Sequence, residues 1–153
     1  MIVYRVSRCV YINDLSGMGT RLFGGRWSSK GLPGLYVASS RALAVLEVLV
    51  HLQPLMIPID YCLAEIEVPD GSLEILDLSK LPAKWAKVSP PHELRGIGDD
   101  FLNTQKHLML RLPSVVVPSE YNFLLNPEHP AMKKVHIIKQ EPFSFDERLL
   151  KKL

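Results

Sequence analysis

Between residues 42 and 52 every side chain is apolar except Glu47 and His51. The two lie four residues apart, so a helix stacks them on one face. An almost wholly apolar helix is normally buried. A carboxylate on such a helix is costly unless it is paired or lines a cleft. A cleft carboxylate is a candidate catalytic group. The plainer reading puts Glu47 at the edge of the core, with its head in water or on a backbone N–H. Taken alone, that plainer reading ranks first.

A second cluster suggests an anionic ligand. Six of the nine glycines fall between Gly17 and Gly34, together with Arg21, Arg26 and Lys30 and with no acidic residue. Glycine lets backbone N–H groups approach a ligand closely, and the basic side chains supply charge, which suits a phosphate or pyrophosphate. Glycine-rich loops are also often plain turns. Two standard phosphate motifs are excluded. Gly17-Met-Gly19-Thr-Arg-Leu22 fails GxGxxG at its last position, and Gly25-Arg26 replaces the Lys-Ser/Thr of a P-loop.

Residues 111–130 hold Ser114, Asn122 and Asn126 among strand-forming apolar residues. Buried hydroxyl and amide groups need partners. They either cap turns around Pro113, Pro118 and Pro127 or point into a cleft and bind a polar ligand. No GxSxG elbow surrounds Ser114, so it does not read as a hydrolase nucleophile.

The elements that must position these residues are short and punctuated by twelve prolines. Strands are expected at residues 2–6, 35–38, 61–68, 73–76, 108–117 (broken by Pro113), 121–125 and 135–138. In 61–68, Ala64, Ile66 and Val68 alternate with Glu65 and Glu67, the pattern of a half-buried strand. Helices are expected at 41–52, capped by Ser39 or Ser40 and stopped before Pro54, and at 99–107. The order points to an α+β domain with a mixed sheet, not to regular βαβ alternation.

The 153 residues fit one domain with a core that needs no disulfide. Eighteen basic and sixteen acidic residues, with no long Lys/Arg run, do not announce a nucleic-acid binder. Cys9 and Cys62 form no CxxC pair and read as reduced thiols, which suits a cytoplasmic setting. The five histidines show neither HExxH nor Cys/His spacing, so no metal site is expected. The first residues lack the order of a signal peptide. No apolar run approaches the roughly 18 residues of a membrane span.

Several pieces occur in a telling order. They are Gly24-Gly25-Arg26-Trp27, then Gly31-x-Pro33-x-x-Tyr36, then Ala44-x-x-Glu47-x-Leu49-x-His51-Leu52. Leu112-Pro113-Ser114 follows, then Asn122-x-Leu124-x-Asn126-Pro127-x-His129-Pro130, and last Pro142-Phe143-x-Phe145-Asp146-x-Arg148-Leu149. Together they resemble the RES domain, named for its Arg, Glu and Ser, from Tyr4-Arg5 to Leu149. One departure is Ser28, where the family usually has Asn.

The resemblance implies a single RES domain over residues 1–153, with a fold similar to the diphtheria-toxin-like ADP-ribosyltransferases. It implies the toxin half of a RES–Xre toxin–antitoxin pair, neutralised by a Xre-type helix-turn-helix antitoxin. It implies NAD as substrate, cleaved at the nicotinamide–ribose bond, with water, inorganic phosphate or a protein as acceptor, so that growth stops. Under this reading Glu47 stabilises the ribose cation or holds a ribose hydroxyl. Arg26 binds the pyrophosphate, Tyr36 stacks on nicotinamide, and Ser114 hydrogen-bonds the nicotinamide amide or the ribose. Arg5, His51, Asn122 and Asn126 form a second tier that shapes the site, and Trp27 packs in the core. The alternatives are an ADP-ribosyltransferase acting on a protein, a silent domain that only binds the Xre-type partner, and a nucleotide-binding module without chemistry. The four intact residues Arg26, Tyr36, Glu47 and Ser114 argue against silence.

Overall fold

The computed structural model describes residues 1–52 and 59–150. One seven-stranded sheet organises the chain. Its strands are β1 (Ile2–Arg8), β2 (Leu35–Ala38), β3 (Tyr61–Glu67), β4 (Leu73–Ile75), β5 (Met109–Pro113), β6 (Tyr121–Leu125) and β7 (His136–Phe143). They are ordered β4-β5-β6-β2-β1-β3-β7. Every pairing is antiparallel except β4 with β5. Among the described residues four α-helices accompany the sheet: α1 (Met18–Phe23), α2 (Arg41–Leu49), α3 (Glu93–Thr104) and α4 (Glu147–Leu150). The α+β class with a mixed sheet is as the sequence indicates.

Side-chain alternation sorts the sheet into two unlike faces. One face buries Leu35 and Val37 of β2, Phe123 and Leu125 of β6, and Cys62, Ala64 and Ile66 of β3 under Ile12, Val68 and Val135. The other carries the two long helices. α2 packs Leu43, Ala44 and Leu49 with Val6, Ala38, Leu63 and Phe145. α3 packs Leu94, Phe101 and Leu102 with Trp27, Leu110, Leu112 and Leu124. Two separate clusters on one face leave a space between the helices, and the central strands β1 and β2, with Asn122 of β6, form its floor.

The strand pattern was largely readable. Residues 35–38 and 121–125 are strands with the expected bounds. Ala64, Ile66 and Val68 are fully buried as their alternation requires. The run at 108–117 stops at Pro113, because the Ser114 hydroxyl accepts the Val116 and Val117 N–H groups and turns the chain. The strand expected at 135–138 runs on to Phe143, paired along all of β3. Ser40 caps α2 by accepting the Leu43 N–H at 3.1 Å. Helix α2 ends at Leu49, and residues 50–52 continue as a turn, so His51 lies just past it and is exposed. Its expected stop before Pro54 lies outside the described residues.

Three expectations need correction. Cys9 and Cys62 are not reduced thiols but a disulfide, with Cα atoms 4.8 Å apart. The β1–β3 pairing sets Ser7 opposite Cys62, and the Cys9 N–H donates to the Asp60 carbonyl at 2.7 Å, folding Cys9 onto its partner. The thiol argument for a cytoplasmic setting therefore lapses. Helix α3 begins six residues before the expected position and ends before His107, with Gln105 left-handed at φ 49°. Finally, α1 occupies part of the glycine-rich window that read as loop.

The early start of α3 was hidden by Gly96 and Gly98, which are poor helix formers. Gly98 has a packing reason: a Cβ there would lie 1.8 Å from the Trp27 carbonyl oxygen and 2.8 Å from its carbon. Gly96 meets nothing within 4 Å. Gly98→Ala should thus lower the unfolding free energy by about 2–3 kcal/mol through backbone overpacking. Gly96→Ala should be neutral or stabilising by up to about 1 kcal/mol. Urea unfolding of the two variants checks the contrast, and equal effects would refute the packing account.

Candidate active site

The space between α2 and α3 is a cavity of about 1050 Å³. Glu47 lies on its wall, near the C-terminal end of α2. Its Oε1 accepts the Ser114 hydroxyl at 2.9 Å and the Asn122 side-chain N–H at 2.5 Å. Asn122 reaches it from β6, beside Ala38 of β2 and Leu112 of β5. Ser114 reaches it from the turn after β5. Each bond to a charged acceptor contributes about 1.5–3 kcal/mol, which offsets the cost of removing part of the carboxylate from water. Oε2 has no protein hydrogen bond among the described residues, so it can accept from a ligand.

Ser114 is 4% exposed and does not line the cavity. Its single hydroxyl proton goes to Glu47, and its lone pairs take the two turn N–H groups. Accepting two donors polarises the hydroxyl and strengthens what it gives Glu47. It sits behind the carboxylate and outside the cavity lining.

Arg26 lines the cavity and lies within electrostatic reach of Glu47. Partial burial pulls its pKa below the ordinary arginine value, and the Glu47 charge counteracts that. Its Nη1 donates to the Trp85 carbonyl at 3.1 Å and the Lys87 carbonyl at 2.9 Å. The Trp27 and Trp85 rings pack at 6.1 Å between centroids. Arg26 and Trp27 together strap the segment before α3 across the cleft. The Nε and Nη2 groups of Arg26 have no protein partner among the described residues and remain for an anion.

Tyr36 also lines the cavity, while its hydroxyl turns inward. The hydroxyl accepts the Trp27 N–H at 3.3 Å and shares a hydrogen bond with the Ser28 hydroxyl at 2.9 Å. Ser28 is fully buried, so the serine at this position orients Tyr36. Gly25 is required beside it: a Cβ there would lie 2.7 Å from the Tyr36 hydroxyl. Burial pushes the Tyr36 pKa up to about 12, against the opposing pull of the Ser28 and Trp27 hydrogen bonds.

The remaining expected residues separate. Asn122 and His51 line the cavity, His51 at its exposed rim. Arg5 lines it too, but its Nη1 donates to the carbonyls of Ile12 at 3.3 Å and Asp14 at 2.5 Å, and burial lowers its pKa. Asn126 is buried away from the cavity. It donates to the Leu102 carbonyl at 2.8 Å and accepts the Glu128 N–H at 3.0 Å, tying β6 to α3. Arg21 and Lys30 are exposed and do not line the cavity, so the basic glycine window contributes only Arg26 to its charge. Sequence reasoning missed Arg95, which lines the cleft from α3, and the apolar rim of Met18, Phe23, Val50 and Val88. No spacing signal marks them, because they come from separate helices and connecting segments that only the tertiary fold brings together. Among the described residues no cluster of His, Cys, Asp and Glu could hold a metal ion, and no helix is long and apolar enough to cross a membrane.

Residues 2–146 match the model of the RES domain. The protein "Toxin Res" of Photorhabdus laumondii subsp. laumondii is 39% identical over 153 residues, covering 99% of this chain and 98% of that relative. The "Prs ADP-ribosylating toxin" of Sphingobium sp. is 38% identical over 149 residues, covering 95% and 92%. A chain of the crystal structure of the M. tuberculosis MbcT–MbcA toxin–antitoxin complex superposes with a TM-score of 0.78 at 20% identity, covering 99% of this chain and 87% of that one. That last likeness concerns the fold.

The buried phenol yields a pH prediction. Its pKa is raised in the folded state, from an ordinary 10.0 to about 12. The stabilisation is therefore present below pH 10 and lost as pH rises from about 10 through about 12, at up to about 1.4 kcal/mol per pH unit. Tyr36→Phe lacks this titration. The stability difference between parent and variant should shrink by about 1–2 kcal/mol between pH 9 and pH 11.5. Denaturant unfolding at pH 9 and pH 11.5 measures it, and a constant difference would mean that Tyr36 is not held in its neutral form.

Proposed function

Because this chain belongs to the RES domain family, we propose that it is the toxin of a toxin–antitoxin pair and cleaves the nicotinamide–ribose bond of NAD. The observation that carries this reading is the carboxylate of Glu47, fixed by Ser114 and Asn122 on the wall of a cavity that also presents Arg26. The cavity volume lies just above the roughly 300–1,000 Å³ typical of small-molecule sites, which suits a dinucleotide.

In the reaction the C–N glycosidic bond breaks and its electron pair leaves with nicotinamide, which becomes neutral. Positive charge develops on the ribose. Glu47 opposes that charge, and its unshared Oε2 accepts a ribose hydroxyl and orients the ring. An acceptor oxygen then bonds to the anomeric carbon and loses its proton. Arg26 supplies positive charge to the phosphates through its remaining donors. Tyr36 contributes an aromatic wall for nicotinamide, and His51 and Asn122 bound the pocket. NAD is a substrate here, not a cofactor, and inorganic phosphate is one acceptor this chemistry admits.

A second reading is ADP-ribosyl transfer to a protein. It is favoured by the apolar rim, where Phe23 is 77% and Val88 96% exposed, and by the name of the Sphingobium relative. The same rim around a cationic cleft suits an antitoxin of Xre type, whose acidic segment would compete with NAD in the cytoplasm. Incubating the purified chain with NAD, with and without phosphate, and weighing the products separates hydrolysis, phosphorolysis and transfer.

Two outcomes follow. Glu47→Gln keeps shape and one hydrogen-bonding oxygen but removes the charge. Its rate of NAD cleavage should fall on the order of 10²–10³-fold with the fold intact, and parent-like turnover would make Glu47 structural. Expressed alone, the chain should arrest bacterial growth and lower cellular NAD. Co-expression with a Xre-type protein encoded beside it should relieve both. Arrest without NAD loss would shift the reading to protein modification, and harmless expression would favour a silent domain.

A further inference from the structure

Three guanidinium groups line the cleft: Arg5, Arg26 and Arg95. Two are partly committed to the protein. Arg5 is held by the carbonyls of Ile12 and Asp14, and Arg26 by those of Trp85 and Lys87. Arg95 is different. It stands in the first turn of α3, is exposed, and its side chain makes no hydrogen bond or ion pair among the described residues. Asp99, one turn further on, instead accepts the Ser29 N–H at 2.7 Å. The acidic groups on the cleft wall, Glu47 and Asp14, form no ion pair with Arg95, and Asp14 accepts the Ser16 hydroxyl. All five donors of Arg95 are thus available to a ligand, in a fork that matches a phosphate.

The backbone that carries this fork is well fixed. Gly98 seats α3 directly on the Trp27 carbonyl, and Arg26 straps the chain just before the helix. Val88 and Pro90 line the same wall. Arg26 is the cation that senses Glu47, so it belongs to the reacting end of the cleft. Arg95 projects from the other helix.

We propose that Arg95 is a phosphate-binding residue that grips the second, adenosine-side phosphate of the dinucleotide and so selects NAD over nicotinamide mononucleotide. This rests on the reading of the cavity as an NAD site. A bidentate charge-assisted contact of about 1.5–3 kcal/mol corresponds to roughly a ten- to hundredfold change in affinity.

The test compares kcat/KM for NAD and for nicotinamide mononucleotide in the parent and in Arg95→Gln. The preference for the dinucleotide should collapse about ten- to a hundredfold, through KM for NAD and not through kcat. Arg95→Lys, a point charge without the fork, should restore part of it. Calorimetric titration with ADP-ribose, which needs no turnover, should show weaker binding to Arg95→Gln by the same factor. An unchanged preference, or equal losses on both substrates, overturns the assignment. Should the parent cleave neither compound, the NAD-cleavage reading fails by itself. ADP-ribose titration then decides Arg95 alone, and absent or equal binding in parent and variant sinks it.

Discussion

The arrangement depends on one constraint: a carboxylate carried by an otherwise apolar helix must be compensated where that helix meets the sheet. Glu47 sits one turn from Leu43 and Ala44, which are buried against Val6 and Ala38. The helix cannot rotate to free the carboxylate without exposing those residues. Compensation therefore comes from the sheet, through Asn122 on β6 and Ser114 at the end of β5. Both are fixed by strand register, so the carboxylate is held by groups whose own backbone is hydrogen-bonded. A charge held this way needs little reorganisation when an opposite charge develops beside it, which is the condition for electrostatic catalysis.

The opposite wall obeys a related rule. The segment between β4 and α3 has little regular structure of its own, and its backbone carbonyls need donors. Arg26 supplies two of them, and the Trp27–Trp85 contact adds apolar area. The cost is that Arg26 has fewer donors left for a ligand. A cleft for a doubly charged ligand then benefits from a cation with no internal duty, and Arg95 on α3 meets that description.

How far this could be read from residues alone depended on the range of the interaction. Ala64, Ile66 and Val68 announced a half-buried strand because alternation is local, and the Ser39-Ser40 pair announced a cap for the same reason, which Ser40 supplies. Glu47 was visible because a charge interrupts an apolar helix. Arg26 stood out in a glycine-rich basic window and Ser114 as a polar residue among apolar ones, and the resemblance to the RES domain added Tyr36 and the roles of all three. What stayed hidden is decided by register. Ser114 turns behind the carboxylate and not into the cavity, because its hydroxyl closes the turn after Pro113. Asn126 ties β6 to α3. Cys9 and Cys62 pair because two antiparallel strands bring together residues 53 apart in sequence. Gly98 looked like a helix breaker, yet it is the position that lets α3 touch Trp27.

The unlike treatment of the two sheet faces explains why the site lies where it does. One face is sealed by a continuous apolar cluster from Val3 to Val135. On the other, α2 and α3 each build their own cluster and leave a gap between them, floored by β1 and β2 with Asn122 of β6. Those strands present Tyr36, Ala38 and Asn122 to the gap, a mixture of aromatic, small and amide side chains. A fully apolar set there would drive the helices together and close the cavity. A fully polar set would hydrate it and weaken the charges within. The mixture sets apolar and hydrogen-bonding groups side by side around the fixed charges of Glu47 and Arg26, which act at higher strength beside low-dielectric walls than they would in bulk water.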